Sequence, residues 1–247
     1  MSAESRAAAL AAYHRFFEGW NSRKPELWAG ALHFPHVRVS AHGPVAVVPT
    51  MEAHVAAMSW TPVEATGWDH STEHEPRVIH EGEERVHIAG GWTRYTKDNE
   101  PIVSSYVSYV ITRIGDSWGI QSRFGVDPGA AGLTDEHVED AQNVVRAYLN
   151  ARNERRFVAA AGWLNYPAVQ VHPASVISWK SADDHATWLE ANAPRETRLA
   201  AAESVQAGPD AVNLALTIVE DGVERRRLVL VTLRDGHWGI QAESTVE

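Results

Sequence analysis

The sequence contains no cysteine. Disulfide bonds, thiolate nucleophiles and cysteine metal ligands are therefore excluded from these residues. The absence suits a reducing compartment, so we expect a cytoplasmic protein. Apolar runs are also short, and none approaches the roughly 18 residues of a membrane-spanning helix. We therefore expect no membrane partner.

Positive charge is scarce. The formal net charge is −10, and both halves of the chain are acidic. The one cationic run, Arg225-Arg226-Arg227, is flanked by Glu220, Asp221 and Glu224, which is typical of a solvated hairpin end. No basic face is available for a phosphate backbone, so nucleic acid is not expected as a partner.

Motifs for common cofactors are missing as well. The sequence has no nucleophile elbow, phosphate-binding loop or dinucleotide fingerprint, and we expect no cofactor. His33-Phe-Pro-His36 suggests a metal site at first sight. However, its proline prevents a helical arrangement of the two imidazoles and no carboxylate is close in sequence, so we expect no metal.

The most informative feature of the sequence is an internal repeat. Residues 21–39 and 153–171 align without a gap and share an Asn, a Leu, an aromatic residue before Pro, and Val-x-Val. Trp118-Gly-Ile-Gln121 recurs as Trp238-Gly-Ile-Gln241. The repeat predicts two homologous domains, 1–126 and 135–247, joined by a linker over 127–134. Each is long enough to bury its own core.

The periodicity predicts an α+β fold with three helices and a curved antiparallel sheet in each domain. Leu10, Tyr13, Phe16, Phe17 and Trp20 recur at helical spacing. We expect a second helix from Pro25, ended by Pro35, and a third helix capped by Thr50. The strands over 102–114 and 228–233 are apolar on both faces, so both faces should be covered. The two sheets are therefore predicted to pack on each other as an internal pseudo-dimer.

This order of elements resembles the nuclear transport factor 2-like superfamily. Helix, short helix, strand and helix precede four strands that end in Trp-x-Ile, and an Asn follows the aromatic residues of the first helix. The superfamily includes ketosteroid isomerase-like and SnoaL-like proteins. The resemblance implies cone-shaped domains with an apolar pocket between the helices and the concave sheet. It also implies pairing through the outer sheet face. Its functions range from isomerases, cyclases and hydratases to non-catalytic binders.

Within that family, the isomerase pattern implies a base at the end of the first strand and a tyrosine on the first helix. The first copy places Ser40 and Phe16 there and fills neither role. The second copy places His172 and Tyr148 there. An imidazole can act as a base near neutral pH, so these two residues are catalytic candidates, although Tyr148 also fits a plain core position.

Candidate ligand-binding residues concentrate in the first copy, which holds nine of the 13 His and six of the 10 Trp residues. His87 alternates with Val86 and Ile88 beside small residues and is a further catalytic candidate. The remaining ligand-binding candidates are His54, Trp60, Trp92, Tyr106, Arg123 and His185. His54 and His185 occupy matched positions on the third helices, which favours a shared structural role. The alternative is that aromatic side chains fill the cone.

Arg123 is replaced by Glu243 in the second copy. We expect a salt bridge between them across the two domains; the alternative is divergent pockets. The sequence as a whole predicts a protein that binds a small apolar or aromatic molecule. One form is an isomerase-, cyclase- or hydratase-type enzyme with His172, or His87 with Arg123, as base or polarising group. The other is a non-catalytic binding or association module with filled cones.

Overall fold

The computed structural model describes residues 3–126, 132–192 and 194–246. Most of the predicted linker, residues 127–131, lies outside that range. The first domain contains α1 (Ala3–Asn21), α2 (Pro25–Ala29), β1 (Leu32–Ser40), β2 (Ala46–Val48), α3 (Met51–Ala57), α4 (Thr61–Glu64), β3 (His70–Glu73), β4 (Arg77–Glu81), β5 (Arg85–Tyr95), β6 (Pro101–Ile114) and β7 (Ser117–Gly125).

The second domain repeats this order with fewer short elements. It contains α5 (Val138–Asn153), α6 (Phe157–Ala161), β8 (Leu164–His172), β9 (Ser175–Trp179), α7 (Ala182–Asn192), β10 (Thr197–Gly208), β11 (Ala211–Glu220), β12 (Val223–Arg234) and β13 (His237–Val246). In the described part of the chain, no helix is both long and apolar enough to cross a membrane.

Local sequence signals set several helix boundaries. Pro25 begins α2, where its missing N–H is not needed and its fixed φ suits the helix. The hydroxyl of Thr50 accepts a hydrogen bond from the Ala53 amide at 3.2 Å, so the predicted cap of α3 is confirmed.

Each domain has its own sheet, and the prediction of purely antiparallel sheets is wrong at one strand pair in each. The strand orders are β2-β1-β7-β6-β5-β3, with β4 also paired to β5, and β10-β11-β12-β13-β8-β9. The β1–β7 and β8–β13 pairs are parallel, and all other pairs are antiparallel. In each parallel pair the two strands are separated along the chain by most of the domain. This connection is long enough for the second strand to run in the same direction as the first.

Pro35 lies within β1 and does not end a helix. Both Phe34–Pro35 and the matching Tyr166–Pro167 are cis peptides. At each site the strand's pairing with its parallel neighbour shifts register. A proline has no N–H to donate, and such an irregular position tolerates that loss.

The helices cover the concave face of each sheet and enclose a separate apolar core in each domain. The outer faces of the two sheets share a third apolar layer, built from residues such as Val37, Val110, Phe124, Val171 and Leu228. Polar side chains also cross between the sheets. The Asn213 amide donates to the Phe124 carbonyl at 2.8 Å, and the Gln206 amide donates to the Gly90 carbonyl at 2.7 Å.

Candidate functional site

The concave face of the first sheet carries a row of neighbouring side chains that ends in two arginines. The strand register places Ile88 beside Tyr109, Tyr109 beside Arg123, and Arg123 beside Arg38. Val110 and Phe124, one residue along, belong to the layer between the sheets. Side chains alternate between the faces of a strand, so Tyr109 and Arg123 point together into the first cone.

Aromatic rings from the helices surround this row. The Arg123 guanidinium carbon lies 5.3 Å from the centre of the Phe16 ring and 5.9 Å from that of Trp28. These distances are in the range of cation–π contacts. The Trp28 ring lies 4.8 Å from that of His54 and 6.2 Å from that of Trp60. The helical spacing of the aromatic residues in α1 and the placement of α2 bring these rings over the sheet.

His36 contributes a buried hydrogen-bond acceptor to the first cone. Its side chain is only 2% exposed, and Nδ1 lies 3.1 Å from the Ile120 carbonyl oxygen. A carbonyl can only accept, so Nδ1 carries the proton and Nε2 is left with a lone pair. Burial, the Arg123 guanidinium and His54 hold the pKa of His36 well below its usual value. The ring is therefore neutral at pH 7.

His54 lies nearby on α3 and is partly exposed. Its ring centre is 6.0 Å from that of His36. Burial and the positive charges of Arg123 and Arg38 lower the pKa of His54 to about 4. Both imidazoles in this cone are therefore neutral near pH 7 and offer lone pairs or single N–H groups, not positive charge.

Several buried polar atoms in the first cone have no hydrogen-bond partner within the described ranges. They are Trp28 Nε1, His36 Nε2, His54 Nε2, Trp60 Nε1 and the Tyr109 hydroxyl. By contrast, the hydroxyl of Tyr13, whose ring lies 5.1 Å from that of Tyr109, is 2.9 Å from the His74 carbonyl oxygen. Tyr13 therefore shows that not every polar group of this core is unsatisfied. In the second cone two buried atoms, Trp179 Nε1 and His185 Nε2, also have no partner among the described residues.

The second cone differs at each of these positions. Glu243 stands where the first domain has Arg123, and Val229 replaces Tyr109 as its cross-strand neighbour. Glu243 accepts a hydrogen bond of 3.1 Å from Arg227, so the predicted salt bridge to Arg123 is wrong. The alternation of the strands turns Arg123 and Glu243 into separate cones, on faces of the sheets that do not meet.

The interior of the second cone is nearly filled. A cavity of about 10 Å³ is lined by Tyr148, Trp179, His185 and Glu243, among others. Such a space holds roughly one water molecule. The Tyr148 and His185 rings stack at 5.9 Å. Burial and the Glu243 carboxylate raise the pKa of Tyr148 to about 12, and burial lowers that of His185 to about 4.

A much larger opening lies at the border between the domains. This cleft of about 790 Å³ is bounded by the β4–β5 turn of the first domain and by strand ends of the second. Its lining includes Arg85, Gln170, His172, Arg225 and Arg227. His172 and Tyr148 therefore line different spaces: His172 borders the cleft and Tyr148 borders the small inner cavity.

Residues 5–127 match the family model described as NTF2-like protein (DUF6841). The first domain belongs to the nuclear transport factor 2-like superfamily. Among curated proteins, none matches the chain.

Similar solved structures share the NTF2-like or cystatin-like fold at low identity. A cystatin-like protein of unknown function from Nostoc punctiforme is 12% identical over 51% of this chain and 92% of its own, with a TM-score of 0.42. A second domain of unknown function from the same organism is 16% identical over 65% of this chain and 98% of its own, with a TM-score of 0.43. An NTF2-like protein from Shewanella oneidensis is 13% identical over 44% and 98%, with a TM-score of 0.39.

The other predicted site residues of the first NTF2-like domain lie in different surroundings. His87 is fully buried on the outer sheet face, with Nδ1 3.0 Å from His80 Nδ1 and Nε2 3.0 Å from the Ser244 hydroxyl of the second domain. Tyr106 also lies beside the layer between the sheets. Trp92 packs against the first-domain core beneath Arg94. The first cone thus brings together His54, Trp60 and Arg123 from the predicted set.

Sequence reasoning missed three residues of this cone: Trp28, His36 and Tyr109. Trp28 and Tyr109 fit the periodicity of ordinary core positions, and His36 drew notice only as a metal ligand. The one available signal was the exchange of Arg123 for Glu243 between the repeats, because it marks a position where the two cones differ. The register that places Tyr109 beside Arg123 requires the structure.

Proposed function

We propose that this NTF2-like protein binds a small molecule in the cone of its first domain. The observation that carries the proposal is the group of five unsatisfied buried polar atoms described for this cone, against two in the second cone. Folded proteins pair about 90% or more of their buried polar groups, and each unpaired group costs roughly 1–3 kcal/mol. A ligand that supplies hydrogen bonds to several of these atoms at once would offset that cost.

The surroundings of these atoms support an apolar or aromatic ligand body. Phe16, Trp28 and Trp60 form the walls, and the partly exposed Phe34 and His54 lie beside them. Ligand sites commonly combine apolar walls with a few convergent polar groups. In the second cone fewer buried polar atoms are unsatisfied and Arg227 neutralises Glu243, which favours a structural role for that copy.

A second candidate function is acid–base catalysis in the cleft between the domains. Its volume of about 790 Å³ falls in the usual ligand-pocket range of about 300–1,000 Å³. His172 and Gln170 lie on its wall, and an imidazole there is a candidate base for an isomerase-, cyclase- or hydratase-type reaction. His172 and Tyr148 line different spaces, which disfavours the isomerase pair itself.

The test uses two histidines at matched positions. A library of small aromatic and apolar compounds is screened by thermal shift against the wild type, His54→Ala and His185→Ala. We expect hits whose stabilisation falls in His54→Ala, corresponding to about a tenfold loss of affinity, and remains in His185→Ala. His172→Ala serves as the test of the cleft. Hits that survive His54→Ala and vanish in His172→Ala would transfer the function to the cleft.

A further inference from the structure

We propose that the ligand of the first cone is an aromatic carboxylate. Its carboxylate lies beside Arg123 and Tyr109, and its ring lies among Phe16, Trp28 and His54. This inference rests on the proposed function and names the chemical class of its ligand. Four properties of the cone point to that class.

The first property is the sign of the charge. Arg38 and Arg123 are direct neighbours across β1 and β7 on the concave face. At the matching place in the second domain, Gln170 is the neighbour of Glu243. On the first concave face, the partly buried Arg123 thus has the exposed Arg38 as its neighbour, and no carboxylate is paired with it in the strand register. In the second domain, Arg227 already neutralises Glu243. An anion is therefore a better electrostatic complement of the first cone than of the second.

The second property is the effect of that charge inside the cone. Among the described residues, the charged groups that act most on His36 and His54 are arginines, and they lower the pKa of both rings. Burial is the larger cause of both pKa shifts, and the Arg123 and Arg38 guanidinium groups add to it, so positive charge lies beside both rings. A bound anion would reverse this effect and raise both pKa values, since a nearby opposite charge favours the protonated ring.

The third property is the set of hydrogen-bonding atoms. Trp28 and Trp60 each offer an indole N–H, and Tyr109 offers an O–H. Arg123 adds guanidinium donors. A carboxylate has two oxygens and about four lone-pair sites, so it can accept from several of these donors at once. Hydrogen bonds to a charged acceptor are also roughly twice as strong as neutral ones. A neutral amide or alcohol lacks this gain in strength. The lone pair of His36 Nε2 is an acceptor and is not among the groups that a carboxylate satisfies.

The fourth property is the flat apolar surface beside the donors. The ring centres of Phe16 and Trp28 are 5.6 Å apart, and those of Trp28 and His54 are 4.8 Å apart. The Arg123 guanidinium carbon lies 5.3 Å from the centre of the Phe16 ring. Aromatic rings pack well against one another in offset or edge-on contacts. Phe16 and Trp28 are each only 3% exposed, so a ligand has to insert between rings that already pack on each other. A flat ring makes such contacts and an inorganic anion does not, so the ligand we propose joins a ring to the carboxylate.

The test compares three probes of nearly the same shape by isothermal titration calorimetry at pH 7. Benzoate carries the charge, benzamide is its neutral counterpart, and benzylamine carries the opposite charge. We expect benzoate to bind the full chain at least about tenfold more tightly than benzamide, with no detectable heat for benzylamine. Equal affinity for benzoate and benzamide would overturn the inference.

Two tyrosine variants locate the bound probe. Tyr109→Phe removes the unsatisfied hydroxyl and should weaken benzoate binding about tenfold. Tyr13→Phe removes a hydroxyl that already has partners in the same core, and should leave the affinity unchanged. Tyr109→Phe removes no protein hydrogen bond within the described ranges, so it is expected to fold. Unchanged benzoate affinity in Tyr109→Phe would contradict this placement.

The outcomes separate the inference from the function on which it rests. If neutral aromatic compounds bind and His54→Ala removes that binding while benzoate shows no advantage, the carboxylate class is wrong and the first cone remains the ligand site. If neither the library nor the three probes bind, both proposals fail. Benzoate that binds equally to the wild type and to His54→Ala also overturns the inference, because the anion would then lie elsewhere.

Discussion

Tyr13 and Tyr109 are fully buried in one core with their rings in edge-on contact, yet their hydroxyls differ. The Tyr13 hydroxyl lies 2.9 Å from the His74 carbonyl oxygen, and the Gly91 amide donates to it at 3.3 Å. The Tyr109 hydroxyl has no partner among the described residues. Such an atom costs stability in the ligand-free protein and is retained where function needs it.

The two tyrosines give a matched prediction for stability. Tyr13→Phe should lower the free energy of unfolding by about 1–2 kcal/mol, because its loss leaves backbone groups unpaired. Tyr109→Phe should leave the stability unchanged or raise it slightly. Urea unfolding of both variants without ligand measures the difference. An equal loss of unfolding free energy in both variants would mean that the Tyr109 hydroxyl has a hydrogen-bond partner. The first cone would then contain fewer unsatisfied polar atoms than we infer.

Buried histidines predict a pH dependence of stability. His80 is 7% exposed on β4 beside His87, and burial together with Arg226 lowers the pKa of His80 to about 4. The unfolded chain binds the proton from about pH 6.5 downward. His80 therefore contributes full stability above that pH and loses it as the pH falls toward 4, by up to about 1.4 kcal/mol per pH unit. In a His80→Asn variant, the free energy of unfolding from urea titrations should fall less steeply as the pH is lowered from about 6.5 toward 4. Identical slopes in the two proteins would contradict it.

At the scale of elements, strands β12 and β13 are joined by a buried ion pair. Arg227 and Glu243 are both under 10% exposed and lie 3.1 Å apart, and Arg227 also contacts Glu220 at 3.4 Å. Burial lowers the pKa of Arg227, but the Glu243 and Glu220 carboxylates outweigh it and raise the net value. The guanidinium therefore stays charged.

This pair should behave as a buried salt bridge. Arg227→Met leaves the Glu243 carboxylate without its partner and should destabilise the chain by about 3–5 kcal/mol. The double variant Arg227→Met/Glu243→Leu should recover much of that loss, because neither charge is then stranded. Thermal or urea unfolding of the single and double variants measures the coupling. Additive losses would mean that the two charges do not interact as described.

The elements also show which parts of the fold a sequence can reveal. Tyr13, Phe16, Phe17 and Trp20 predicted α1 because a helix with one buried face repeats every three or four residues. The polar stretch over 68–79 predicts no element clearly, and it holds β3 and the start of β4, whose short strands lack a clear alternation. The parallel β1–β7 pair leaves no local signal, because its register is set by contacts between residues more than 80 positions apart.

The candidate site was predictable only in part for the same reason. His54, Trp60 and Arg123 were identified from composition and from comparison of the repeats. Tyr109 and His36 depend on strand register, and their unpaired atoms depend on side-chain packing. The prediction for His87 failed because strand alternation shows which face of the sheet a side chain is on, but not what packs on that face. The second domain packs on this face, and Ser244 contacts His87.

At the scale of the whole molecule, the two halves share a fold and differ inside their cones. Both sheets contribute apolar residues to the layer between them, including Phe124 and Leu228. The concave faces have diverged: Arg123 lies among rings and unsatisfied polar atoms, and its counterpart Glu243 is neutralised by Arg227. This asymmetry predicts one ligand site per chain, in the first domain.

The most direct test of that prediction is a crystal structure of the full chain with benzoate. We expect one molecule per chain, inside the first cone, with its carboxylate within hydrogen-bond distance of the Tyr109 hydroxyl and the Arg123 guanidinium. Benzoate in the second cone, or bound only in the cleft beside His172 with the first cone unchanged, would contradict the account.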